Sequence, residues 1–267
     1  MAFVLWVAAA PLWLSGLIVV VAPSVLAMLG PVLVRRFVVL DRLTTNNEVA
    51  GFKFAVLGVV YAVLLGFAVI VVWEKFHDAQ EAVAQEAGAS LALARLAGGL
   101  PEGSQPGQSG ALRAGVSAYL HIAIEQDWPA VARGKLSPAV TQAINELYRT
   151  VLADRPDDAG SSALQSELLQ QLDQLTRARR ARIVLSEGSV PGVVWTVLAL
   201  GAVVTVGFTF FFGTINLRAQ VLMTGLLAFT IFLGLEVILT VNRPFTGPVS
   251  VDFQPLTSVL NVIERAS

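Results

Sequence analysis

The stretch NNEVAGFKFAVLGVVYAVLLGFAVIVVWEKFHDAQEAVAQEA, residues 46–87, decides the fold. From Gly51 to Trp73 its only charge is Lys53. That run is long enough, as a helix, to cross a hydrocarbon core of about 30 Å. Charges return at Glu74, yet no proline and only Gly88 interrupt residues 74–96, where Phe76, Val83, Ala87, Leu91 and Ala94 recur at helical spacing. No breaker separates the two halves. The sequence therefore predicts one helix over residues 52–97 that leaves the bilayer and projects about 35 Å beyond it at 1.5 Å per residue.

Three further apolar blocks accompany this one. The first covers residues 12–34, with a start as early as Phe3 left open, and contains Pro23 and Pro31 just after Pro11. Residues 1–10 lack the Lys or Arg of a signal peptide's charged start, so a retained, kinked helix is expected. The other blocks cover residues 192–213 and 219–241, and the five-residue link 214–218 makes them an antiparallel hairpin. Composition agrees with four spans. Of the 267 residues, 55% are hydrophobic and only 14% charged, with a mean hydropathy of +0.69. Soluble domains carry about 25% charged residues. A net charge of −1 argues against a nucleic-acid partner, and zero cysteines exclude disulfides and thiolate sites.

The division expected is residues 1–73 for spans one and two, 74–190 for a helical extramembrane domain, 191–241 for spans three and four, and 242–267 for a C-terminal tail. The inserted domain carries 11 basic and 14 acidic residues and no β alternation. Its Gly- and Pro-rich residues 98–110 read as a loop, and helices are expected at 111–126, 138–153 and 161–185. Ser137 is the candidate N-cap of the second of these, with Pro138 at its first position. Arg35, Arg36, Arg42 and Arg218 lie on one side of the membrane, against Lys75, Arg177, Arg179, Arg180, Arg182 and Arg243 on the other. These counts nearly cancel, leaving the side of the domain open in a multi-pass protein of a cell (inner) membrane.

Residues 46–87, the DWPA at 127–130 and the NRPFTG at 242–247 resemble an uncharacterised family of four-span membrane proteins described as bestrophin-like. The resemblance covers nearly the whole chain. A remoter similarity to bestrophins implies a pentameric anion channel whose second span lines the pore. Two features depart from that pattern. The regular row on the second span is Gly58, Ala62 and Gly66, with Val69 beyond it, instead of bulky apolar neck residues. Only Asp252 and Glu264 follow the fourth span as acidic residues, too few for the calcium clasp of animal bestrophins.

The candidate pore-lining or helix-packing residues are Gly58, Ala62, Gly66 and Val69, together with Gly201, Thr205 and Thr209 on the third span, a row that Gly213 continues. Small residues let helices approach closely in lipid, so packing is the blander reading of both rows. Glu236 is the one carboxylate inside a span, with Arg243 or Lys75 as its ion-pair partner or else a role in permeation. Glu74, His77, Asp78 and Glu81 share a helix face and read as a solvated surface ahead of a metal site. His121 reads as half buried, and the RARR at 177–180 as a helix exterior near lipid headgroups.

No phosphate loop, nucleophile elbow or zinc signature occurs, so no catalytic residue, metal ligand or cofactor is assigned and no enzyme is expected. The sequence reads as an all-α, four-span homo-oligomer, expected as a pentamer, whose partners are the lipid bilayer, its own copies and small ions. Its leading function is an ion channel with an axial pore lined mainly by the second span. The other reading is a membrane-anchored sensor or assembly scaffold that conducts nothing.

Overall fold

The computed structural model describes residues 6–7, 10–100, 107–133, 135–153 and 158–265, and these are all-α. Four helices are long and apolar enough to span a membrane: α1 (Leu12–Phe37), α3 (Asn47–Ala97), α8 (Gly192–Thr209) and α9 (Leu217–Val241). The short α2 (Leu40–Thr44) joins the first two. The possible start of α1 at Phe3 lies outside the described residues.

Residues 1–75 and 188–250 form one unit. Within α1 the chain opens into a π turn at Leu17–Val21, just ahead of Pro23. Pro23 has no N–H to give to the preceding turn, and its ring crowds the carbonyl there, so a widened turn accommodates it. Close backbone approach sets the packing. A Cβ on Gly201 of α8 would lie 2.5 Å from the Tyr61 ring, and one on Gly234 of α9 would lie 2.5 Å from Leu65. The Tyr61 hydroxyl donates to the Leu198 carbonyl at 3.0 Å, so the ring is both wedged and tethered.

The third span is shorter than expected, ending at Thr209 instead of Gly213. Phe210–Phe212 continue only as tighter turns, each N–H reaching the carbonyl three residues back, and the Asn47 side chain clasps Gly213 through both its polar groups, its amide donating to the Gly213 carbonyl and its oxygen accepting the Gly213 N–H at 3.0 Å. The Asn242 side chain anchors the other end of the hairpin as an acceptor. Its Oδ1 accepts the N–H groups of Ser189 and Val190, both at 2.9 Å, which fixes the entry to α8.

Residues 76–187 and 251–267 form the second unit. Helix α3 runs through it unbroken to Ala97, as its sequence predicts. Its buried face here comprises Ala79, Ala82, Val83, Glu86, Ser90 and Leu93. Val83 is completely enclosed. A Val83→Pro substitution should therefore cost about 3 kcal/mol or more, which thermal unfolding of the purified protein would register.

The loop expected over 98–110 is shorter at its C-terminal end, because Gly107, at φ 86°, opens α4 (Gln108–Ile122), while residues 101–106 lie outside the described set. The single helix expected at 111–126 is also corrected. A π turn, Ala123–Asp127, divides α4 from α5 (Trp128–Ala132), where Pro129 again removes a donor. Next come α6 (Pro138–Leu152), α7 (Ala159–Leu185) and α10 (Gln254–Arg265). Ser137 precedes Pro138 as expected but caps nothing with its side chain. Asp158 caps α7 through the Ser161 N–H at 2.7 Å, so the helix begins at Ala159, two residues ahead of the expected start. Helix α10 lies within the residues expected as a C-terminal tail. It buries Leu256, Val259, Leu260 and Ile263 on one stripe, and its Glu264 meets His121 of α4 at 2.9 Å.

Candidate functional site

The second span divides into two faces. Phe54 stacks with Phe208, while Tyr61, Ala68 and Val72 are buried, so one side of α3 is occupied by its own chain. At 3.6 residues per turn the row Gly58, Ala62 and Gly66 lies to one flank of that packed side. Ala62 and Gly66 are exposed, and a Cβ added at Gly58 or Gly66 would meet nothing within 4 Å. Val69, half-buried, continues the flank. Farther around stand Val59, Val63 and Ile70, all exposed.

The third-span row has the opposite surroundings. Gly201 receives the Tyr61 ring, and Thr205 and Thr209 are buried. Thr209 donates back to the Val206 carbonyl at 2.6 Å and lies 3.4 Å from the Thr224 hydroxyl of α9. This row is turned into its own chain, Gly201 against Tyr61 on the packed side of α3 and Thr209 toward Thr224 of α9.

Glu236 is buried in α9, and neither carboxylate oxygen accepts a hydrogen bond from Arg243, Lys75 or any other described residue. The pairing offered by the sequence is therefore not formed among the described residues. His77, Asp78 and Glu81 stand on an exposed face, where Gln80 and Gln85 are the neighbours of His77 and Glu81. Glu74 is likewise exposed. The His121 side chain is 48% exposed, close to the half burial expected.

The largest departure lies in the second unit. Arg182 is completely enclosed, with its Nε 2.7 Å from Glu86 Oε2 and its Nη2 2.9 Å from Asp127 Oδ2. Arg179 grips the same aspartate through Nε at 3.2 Å and Nη2 at 3.0 Å. The Tyr119 hydroxyl donates to Glu86 at 2.6 Å, Ser137 N–H donates to Asp127 at 3.2 Å, and the guanidinium of Arg182 sits 5.3 Å from the Trp128 ring centre. Two carboxylates and two guanidiniums thus neutralise one another inside the core. This corrects the reading of RARR as wholly exterior. Arg177 and Arg180 are exposed, but Arg179 is not.

A signal for this network exists in the sequence. Leu168, Leu172 and Leu175 are buried at spacings of four and three, and carrying that stripe forward reaches Arg179 and Arg182. The π turn before Pro129, which brings Asp127 inward, leaves no such signal.

Burial would raise the Asp127 carboxyl, but the hydrogen bond from Arg179 and the charges of Arg182 and Arg179 outweigh it and hold the group below its ordinary value of 3.8. Burial, reinforced by the Glu86 charge, pushes Tyr119 well above 10.0. A depressed carboxyl stabilises the fold above its unfolded value and loses that contribution as pH falls through the folded one. A raised phenol stabilises below its unfolded value and loses that contribution as pH rises. Thermal stability should therefore be flat between about pH 4 and pH 10 with respect to these groups and fall outside that window. Asp127→Asn should be less stable at neutral pH, with its deficit narrowing below about pH 4 in parallel melts.

Solved structures share this architecture. A bacterial bestrophin homologue from Klebsiella pneumoniae carrying a point substitution superposes with a TM-score of 0.68 at 15% identity, over 91% of this chain and 96% of that one. A further structure of a bestrophin homologue from the same organism gives 0.65 at 14% identity, over 91% and 93%. A structure described as a membrane protein gives 0.67 at 15%, over 91% and 95%. No curated protein matches the sequence. The family model described as Bestrophin-like domain matches residues 21–256. That match spans three of the four apolar helices whole, most of α1 and all of the buried ion network, and the chain belongs to the Bestrophin-like domain family.

Proposed function

We propose that this protein is an oligomeric ion channel in which second spans from several copies, five by the bestrophin resemblance, surround an axial pore. The observation that carries this reading is the uncovered small-residue flank of α3, Gly58, Ala62 and Gly66, beside a third-span row already consumed by internal packing. Small side chains leave room for water and ions along an axis while allowing neighbouring helices to approach closely. In this reading residues 1–73 and 191–241 lie in the bilayer of a cell membrane and residues 74–190 outside it. The conducted species are small ions, with anions favoured by resemblance.

Detergent-corrected mass measurement and flux from liposomes containing the purified protein test this together. A multimer that releases chloride or potassium supports it. A monomer across detergents, or a multimer that passes neither ion at any pH or voltage, removes it in favour of a scaffold.

A further inference from the structure

Helices α1 and α9 bound a cleft of about 540 Å³, lined by Leu12, Trp13, Val20, Phe229, Leu233 and Glu236 among others. That volume is typical of small-molecule sites, which are mostly apolar with a few orienting polar groups. Here Glu236 is the only ionisable group among the described lining residues. It is 7% exposed, and both of its oxygens lack a hydrogen-bond partner. The nearby Thr240 hydroxyl serves the Glu236 backbone carbonyl, not the carboxylate. Glu236 lies six residues before Asn242, about 9 Å inside the end of the span.

An ionised carboxylate in apolar surroundings is costly unless paired. A hard metal ion would ask for several oxygen ligands, whereas this cleft offers one carboxylate between hydrocarbon walls. Trp13, 72% exposed at the rim, adds an aromatic face that attracts organic cations. The chemistry that satisfies all of these at once is an ammonium group on an apolar body.

We propose that this cleft is a binding site for amphiphilic alkylammonium ions drawn from the bilayer, with Glu236 as the counter-ion and Trp13 and the aliphatic walls holding the chain. Glu236 then has its missing partner, supplied by a ligand from the membrane.

The test uses the full-length protein in nonionic detergent at neutral pH, titrated with 11-bromoundecylamine, whose bromine quenches tryptophan fluorescence. The uncharged 11-bromoundecanol is the control for partitioning. The amine should quench at a concentration about tenfold below the alcohol, a difference of about 1.4 kcal/mol. The difference should persist in about 0.3 M KCl, which screens surface attraction.

Glu236→Gln should bring the two probes together, Glu236→Asp should keep part of the preference, and Trp13→Phe should remove most of the amine's excess quenching over the alcohol. Removing an unpaired carboxylate breaks no internal bond, so the Gln variant should fold. The proposal is overturned if amine and alcohol quench alike in the unmodified protein, or if the preference survives Glu236→Gln. It is equally overturned if that variant loses its oligomer while amine quenching stays the same, since the counter-ion would then be a cation from a second copy.

Discussion

Replacing Arg182 with methionine should destabilise the protein by about 3–5 kcal/mol, because the substitution removes one partner of a buried pair and leaves the others charged. Arg182 bridges Glu86 of α3 and Asp127 of the π turn, and none of the three side chains reaches solvent. Without Arg182, Glu86 keeps only the Tyr119 hydroxyl among the described residues, and Asp127 keeps Arg179 and the Ser137 N–H. A buried carboxylate served by one neutral donor is poorly compensated. Arg182→Lys should rescue little, since one ammonium cannot reproduce the bidentate contact to Glu86 and the bridge to Asp127 together. Apparent melting temperatures in detergent at neutral pH measure both effects. A variant that melts within a degree or two of the unmodified protein would show that the network contributes little.

The second large effect is expected in conduction. If the α3 flank faces an axis, Gly66→Leu and Ala62→Phe fill free space, because neither position touches its own chain closely. Flux from liposomes should fall at least tenfold for both variants, a rise in the barrier of about 1.4 kcal/mol or more. The subunit count should stay unchanged. Enlarging Gly201 tests packing instead: its Cβ would collide with the Tyr61 ring, so Gly201→Leu should cost about 1–3 kcal/mol of stability through overpacking.

These contrasts show what the sequence carries and where it stops. Hydrocarbon thickness imposes a length, so the four spans were legible from apolar runs alone. The unbroken α3 was legible because neither proline nor a glycine cluster interrupts it. The end of α8 was not, since Phe210–Phe212 are as apolar as the helix before them and the stop comes from the Asn47 clasp on Gly213, a contact between residues far apart in sequence. Equally, a row of small residues looks the same whether a neighbour covers it or not. Gly201 and Gly66 differ only through Tyr61, which lies 140 residues from the first and on the far side of the second's own helix. Charge is an unsafe mark of exposure in α7, whose leucine stripe carries Arg179 and Arg182 inward to the buried ion network.

In the proposed channel, second spans gather around a conducting axis with Gly58, Ala62 and Gly66 toward it. A structure of the detergent-purified oligomer tests this most directly, through the subunit count and the radius along the symmetry axis. The proposed channel requires several copies, five by resemblance, and a continuous water-filled path with this flank of α3 on its wall. Copies whose second spans turn these residues onto a neighbouring helix, leaving the axis closed or lined by another element, would contradict it.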